Sequence, residues 1–290
     1  MEKIRQALDR ARRNRAEVSI DDADRPLESA PARDQAVTEL TGRTADVQQD
    51  LQHDERPLAR EFVPDSAALV RHRILPPAAA GETGAAVESL RSLRTLVMQR
   101  MREHGWQTIG IVSARSADGK TTLAANLAVA IASDPRHTAL LVDFDLRQPG
   151  VARAFGAHPT VGVEDVLAGS TAIESCLLRP STVPGLRLLP ARHEVSNSST
   201  LVASGRCASL VTELRQRYAN RIIVFDLPPV LEADDAVLAA SVLDCVLLVI
   251  TEGHTARADV VQALDLLRGT NVVGTVLNAS SALRRARPAA

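Results

Sequence analysis

The residues best suited to chemistry lie in one short run. The apolar stretch Ile109-Gly110-Ile111-Val112-Ser113, with the character of a buried strand, runs into Ala114-Arg115-Ser116-Ala117-Asp118-Gly119-Lys120-Thr121-Thr122. A glycine, a lysine and a hydroxyl residue in succession, between a strand and an Ala/Leu-rich helix, form a cradle for phosphate. Gly119 lets backbone N–H groups approach phosphate oxygens closely. Lys120 brings a point charge to the β- and γ-phosphates, and the Thr121 hydroxyl is a ligand for Mg²⁺. The helix that starts here adds the positive end of its dipole. The pattern is that of a P-loop with Ala114 where the first glycine usually stands, and it assigns Ala114 through Thr122 to nucleotide binding.

Acidic groups follow at the ends of two further apolar runs. Leu140-Leu141-Val142 leads into Asp143-Phe144-Asp145-Leu146-Arg147, and Ile222-Ile223-Val224-Phe225 leads into Asp226-Leu227-Pro228-Pro229. Alternation along a strand puts Asp143 and Asp145 on one side, so both can face one metal or one nucleophile. Asp226 has the position of a Walker-B carboxylate, which holds Mg²⁺ directly or through water. Thr121, Asp143 and Asp226 are thus the expected metal set, and Lys120, Asp143 and Asp145 the expected catalytic set.

These groups must be carried by a sheet. Apolar runs at 108–113, 138–142, 186–190, 221–226, 245–250 and 272–277 read as strands, and 85–104, 121–133, 206–218 and 256–268 as helices. Continuous apolar strands alternating with helices predict an α/β fold, a mostly parallel sheet with helices on both faces. Ligands then bind at the carboxyl ends of the strands, where the acids stand. The first 80 residues differ. Residues 1–15 form a short basic amphipathic pattern (Ile4, Ala7, Leu8 and Ala11 among Lys3, Arg5, Arg10, Arg12 and Arg13), expected to be a solvated or docking helix. Residues 19–62 are polar and aperiodic and read as a disordered linker, with Pro76 to Gly81 marking the boundary. The expected division is an extension at 1–80, a P-loop domain at 81–279 and a short tail at 280–290.

Composition narrows the alternatives. Over 290 residues the formal net charge is -1 and aromatic residues make up 2%, which speaks against nucleic acid as a partner. Three scattered cysteines and seven dispersed histidines form neither a disulfide framework nor a zinc pattern. No apolar run is long enough to cross a bilayer, and the N-terminus lacks the apolar core of a signal peptide, so a cytoplasmic protein is expected.

The doublet Asp143-Phe144-Asp145-Leu146-Arg147 resembles the Walker A′ motif of the bacterial tyrosine kinases (BY-kinases) of the CpsD/CapB type, themselves similar to MinD/ParA-like ATPases. Ser113 to Thr121 is similar to the family's Walker A. Asp226-Leu227-Pro228-Pro229 is similar to its Walker B, with Leu227 where Thr or Ser is usual. Glu88-Ser89-Leu90-Arg91-Ser92-Leu93-Arg94 is similar to the E-x-x-R-x-x-R helix through which such kinases assemble, so the resemblance marks Glu88, Arg91 and Arg94 as oligomer contacts and implies a homo-oligomer that closes into a ring. The N-terminal run from Glu2 to Leu8 and Gly274-Thr275-Val276-Leu277-Asn278 resemble the separate-chain form of exosortase-associated exopolysaccharide clusters. The resemblance implies ATP and Mg²⁺ as cofactors, Asn278 as an adenine contact, Asp143 or Asp145 as the group that positions or deprotonates a tyrosyl hydroxyl or a water, and docking on a transmembrane chain-length determinant (polysaccharide co-polymerase) at the inner membrane. Two departures stand out. Residues 280–290 hold no tyrosine, Tyr218 being the chain's only one, and Arg115 occupies the position of the MinD/ParA signature lysine. A positioning or partition ATPase and a nucleotide-dependent scaffold are the alternatives to the kinase.

Overall fold

The computed structural model describes residues 59–75, 84–203 and 205–279, all within one unit of the chain. The basic pattern at 1–15, the polar stretch as far as residue 58, the Pro/Ala boundary at 76–81 and the tail at 280–290 lie outside the described residues.

The eight strands are β1 (Arg60–Phe62), β2 (Thr108–Ser113), β3 (Thr138–Asp143), β4 (Leu178–Pro180), β5 (Leu186–Leu189), β6 (Arg221–Asp226), β7 (Cys245–Thr251) and β8 (Val272–Asn278). They form one sheet in the order β1-β4-β5-β3-β6-β2-β7-β8. Every neighbouring pair is parallel except β4 with β5. Residues of β2 alternate between two cores: Ile109 and Ile111 join one face, Val112 the other. A strand buried on both faces reads as a continuous apolar run, and all six residues of β2 are buried.

On one face lie α2 (Ala85–His104), α3 (Lys120–Ala132) and α4 (Val151–Phe155); α8 (Arg206–Arg217), α9 (Asp234–Ala240) and α10 (Arg257–Leu266) pack on the other. Helix α3 has no polar stripe because it is enclosed nearly all round, with Ala124 to Val129, Ile131 and Ala132 buried. Helix α2 buries only Val97 and Met101 and stops where Gly105 turns left-handed at φ 67°. Short helices α1 (Ser66–Arg71), α5 (Val163–Ala168), α6 (Ile173–Cys176) and α7 (Ser198–Ala203) fill the connections.

The start of the fold corrects the expected boundary. Residues 60–62, read as linker, form edge strand β1, which pairs in parallel with β4, and Asp65 caps α1 by accepting a hydrogen bond from Ala67 N at 2.9 Å. The segment then lands on α3. Asn126, itself buried, accepts from Leu75 N at 2.7 Å and donates to Arg73 O at 2.9 Å. Backbone pairing and one amide hold this segment, with Ala68 and Ile74 as its buried apolar residues. Its polar composition hid the strand.

Candidate functional site

Three strand ends and one helix start meet at the carboxyl edge of the sheet. β2 delivers the loop from Ala114 to Gly119 and then Lys120, the first residue of α3. β3 delivers Asp143 and, just beyond it, Asp145; β6 delivers Asp226, opposite Asp143 in register. Phe144 and Phe225, buried on the neighbouring strand ends, meet edge to face with ring centroids 5.9 Å apart. Such a pair contributes about 0.5–1.5 kcal/mol beyond area burial. It fixes the two acidic strand ends relative to one another.

Lys120 Nζ sits 2.7 Å from Asp145 Oδ2. Burial pulls the ammonium toward losing its proton, but Asp226, Asp145 and Asp143 together outweigh burial and hold it above its ordinary range. All three carboxylates are buried. Asp145 Oδ1 accepts from Gln148 N at 3.0 Å, while Asp143 Oδ2 accepts from Gly150 N and Val151 N at 3.0 and 2.9 Å. Asp143 Oδ1 and both Asp226 oxygens have no hydrogen-bond partner among the described residues. Burial first, then the neighbouring Asp226, pushes Asp143 well above the usual carboxylate range. Burial pushes Asp226 up to about 6, against the pull of the Lys120 charge and the nearby Thr121 hydroxyl.

Buried carboxylate oxygens without donors are costly, and a hard cation or an additional donor relieves them. The donor set is oxygen only, with the Thr121 hydroxyl beside it, which suits Mg²⁺ rather than a transition metal. The residues present therefore fit the expected ion. Gly150 leaves space for the threonine: a Cβ there would fall 2.9 Å from Thr121 Cγ2.

The phosphate loop itself is a tight turn. Ala117 and Gly119 take left-handed conformations, φ 66° and 86°, the first at a cost of about 1–2 kcal/mol. Its first-turn N–H groups on α3 have no partner within a helix and face the crevice. The structure brings Lys120, Thr121, Asp143, Asp145 and Asp226 together at the carboxyl edge of the sheet. Several neighbours were not anticipated from the sequence. The Asp118 carboxylate is turned into a contact with Thr255 and His254. Arg115 makes a two-pronged contact with Asp259 on α10 at 2.8 and 3.0 Å, and Ser116 binds Glu232 through backbone and hydroxyl. Thr122 Oγ1 reaches His72 O at 3.4 Å. Asn278 Nδ2 donates to Asp118 O at 3.0 Å and its Oδ1 accepts from Ala279 N, so in this state its amide braces the loop. These partners lie far away in sequence and carry no motif.

The proposed assembly helix is exposed at Glu88 and Arg91. Arg94 differs: half-buried, it donates to Ala130 O at 3.3 Å and approaches Asp134 within the same chain. Among the described residues no helix is long and apolar enough to cross a membrane. Tyr218 is half-buried against the core, with the Arg221 guanidinium 4.9 Å from its ring centroid.

No family model matches the chain. It is 31% identical over 193 residues to the tyrosine-protein kinase YwqD of Bacillus subtilis, covering 66% of this chain and 80% of YwqD. It is 30% identical over 231 residues to the tyrosine-protein kinase Wzc of Salmonella typhi, covering 79% of this chain but 31% of Wzc. The chain thus spans about a third or less of the longer curated relatives it matches. Among solved structures, the kinase domain of VpsO is 32% identical with a TM-score of 0.59, over 67% of this chain and 96% of that one.

Proposed function

We propose that this chain, which belongs to the bacterial tyrosine-protein kinases, binds ATP with Mg²⁺ and transfers the γ-phosphoryl group in the service of exopolysaccharide or capsule synthesis. The observation that carries the reading is the buried constellation of Lys120 on Asp145 beside the unpartnered oxygens of Asp143 and Asp226. A cation and three acids enclosed in the core are expensive to keep for stability alone. Their arrangement suits a site that waits for phosphate and a metal.

In this reading the loop N–H groups from Arg115 to Thr122 cradle the phosphates, and Lys120 turns from Asp145 to the β- and γ-phosphates when nucleotide enters. Thr121, Asp143 and Asp226 hold Mg²⁺, which when bound neutralises charge on the phosphate oxygens. Asp145, released from Lys120, is then free to orient or accept the proton of the attacking hydroxyl. A phenol, with a pKa of about 10, needs such a neighbour. Asn278, at the end of β8, would exchange its hold on Asp118 O for the purine. Tyr218 is packed against the core, so in this reading the acceptor is a tyrosine other than Tyr218, or water in a purely hydrolytic cycle.

Glu88 and Arg91 supply the exposed flank for assembly with further copies, with Arg94 holding the helix to its own domain. Docking to a transmembrane chain-length determinant would place the protein at the cytoplasmic face of the inner membrane. The test is purified protein with γ-labelled ATP and Mg²⁺, with and without the cytoplasmic segment of that membrane partner. Phosphotyrosine on the partner establishes the kinase, and free phosphate alone establishes the ATPase. Neither product in either arm overturns the assignment.

A further inference from the structure

We propose that Thr251 and Thr255, in the turn that follows β7, are positioning residues for the phosphate loop and act on it through Asp118. The inference rests on the nucleotide-binding reading of that loop.

Three hydrogen bonds link the turn and the loop, and a fourth orders the turn itself. Thr255 Oγ1 donates to Asp118 Oδ1 at 2.6 Å and accepts from Thr251 N at 2.8 Å. Thr251 Oγ1 donates to Asp118 O at 3.0 Å, and His254 Nδ1 lies 3.1 Å from the same Asp118 Oδ1. The Thr255 hydroxyl therefore has its proton committed to the carboxylate and a lone pair committed to the backbone, which fixes its orientation. Asp118 is 1% exposed, so its carboxylate depends on these donors in place of water. Both its side chain and its carbonyl are held from the same turn.

The location gives the contacts their purpose. Asp118 stands between Ala117 and Gly119, the two loop residues in left-handed conformations. Left-handed backbone at a non-glycine residue persists only where its surroundings over-determine it, and here the restraint falls directly after the strained Ala117. The N–H groups that would meet phosphate belong to the same few residues. A loop released from the turn would spend part of its time in relaxed conformations that do not present those groups, and apparent affinity falls in proportion to the competent fraction. The restraint acts on the bound phosphates as a whole, so ATP and ADP should be affected alike. Turnover at saturation should be preserved, because binding itself reorders the loop.

The experiment is nucleotide titration by calorimetry, with steady-state phosphate release, on wild type, Thr255→Val and Thr255→Ser in the full chain. Removing one hydrogen bond to a charged, buried acceptor should weaken ATP and ADP binding about tenfold in Thr255→Val, with KM raised similarly and kcat within about twofold. Thr255→Ser, which keeps the hydroxyl, should restore affinity. Should Thr255→Val not fold, Thr251→Val, which removes one of the two donors to Asp118 O and leaves Asn278 Nδ2 in place, should weaken ATP and ADP equally, by about threefold, with kcat again within about twofold. Unchanged affinity, equal losses in the Val and Ser variants, or a loss confined to kcat would each overturn the proposal while leaving the nucleotide site in place. A wild type that binds neither nucleotide would overturn the functional reading, and this inference with it.

Discussion

Asp226→Asn exchanges a fully buried carboxylate for an amide of nearly the same shape, in a place where burial outweighs the Lys120 charge and the Thr121 hydroxyl that favour the ionised form. Burial pushes the carboxyl up to about 6 from an ordinary 3.8, a difference of about 3 kcal/mol between its two protonation states. A carboxyl raised in the folded state keeps its proton there after the unfolded chain has lost it. Its favourable contribution is therefore complete below about pH 4 and is lost as pH rises through about 6. The asparagine variant has no such dependence. Any fixed cost of burying the amide is the same at every pH and cancels from the comparison. In chelator-containing buffer, the stability of the variant relative to wild type should increase by about 3 kcal/mol between pH 4 and pH 8, roughly 6–12 °C in melting midpoint for a domain of this size. Adding Mg²⁺ at pH 8 should raise the wild type's midpoint more than the variant's, because the variant has lost one of the two carboxylates of the proposed metal set. Urea or thermal denaturation at a series of pH values measures both effects. A gap that stays constant from pH 4 to pH 8 would refute the claim that burial holds Asp226 above the usual carboxylate range.

Lys120→Met should abolish nucleotide turnover in a folded protein, as seen by phosphate release; turnover at the wild-type rate would remove the phosphate-loop assignment. Asp143→Ala and Asp145→Ala should lower turnover at saturating ATP by at least about a hundredfold while changing ATP affinity much less, the signature of groups that act in the transition state. The reverse pattern would make them binding groups only. Arg91→Glu should shift the protein toward monomer in light scattering with ATP and Mg²⁺, and the wild-type assembly itself should weaken with added salt, since exposed ion pairs contribute about 0–1 kcal/mol each. Identical masses for the two proteins would leave α2 a solvated face.

Long, strongly patterned elements were legible in the sequence. Helix 85–104 announced itself by an apolar stripe and a terminal glycine, and strands 108–113 and 221–226 by unbroken apolar runs; all three stand where expected. Elements of four to seven residues, such as Val151–Phe155, Ile173–Cys176 and Asp234–Ala240, are too short to show a helical period and went unread. Strand Arg60–Phe62 carries two charged residues in three and is held by backbone pairing, which leaves no compositional trace. The chemical centre was readable because lysine, threonine and aspartate sit at strand ends close to glycine, a local pattern. Its supports were not, since Asp118 and Thr255 are 137 positions apart and meet only once β7 lies beside β2.

The segment from Arg60 to Leu75 gives the upstream chain a direct mechanical route to the candidate site. It enters at the far edge of the sheet, crosses by way of α1, and ends moored to Asn126 with Thr122 in reach. Thr122 and Asn126 are successive rungs of the helix whose first rung is Lys120. A molecule that took hold of the chain ahead of residue 60 would thus be pulling on a cord tied to the wall of that site, and could tilt that wall without touching the nucleotide.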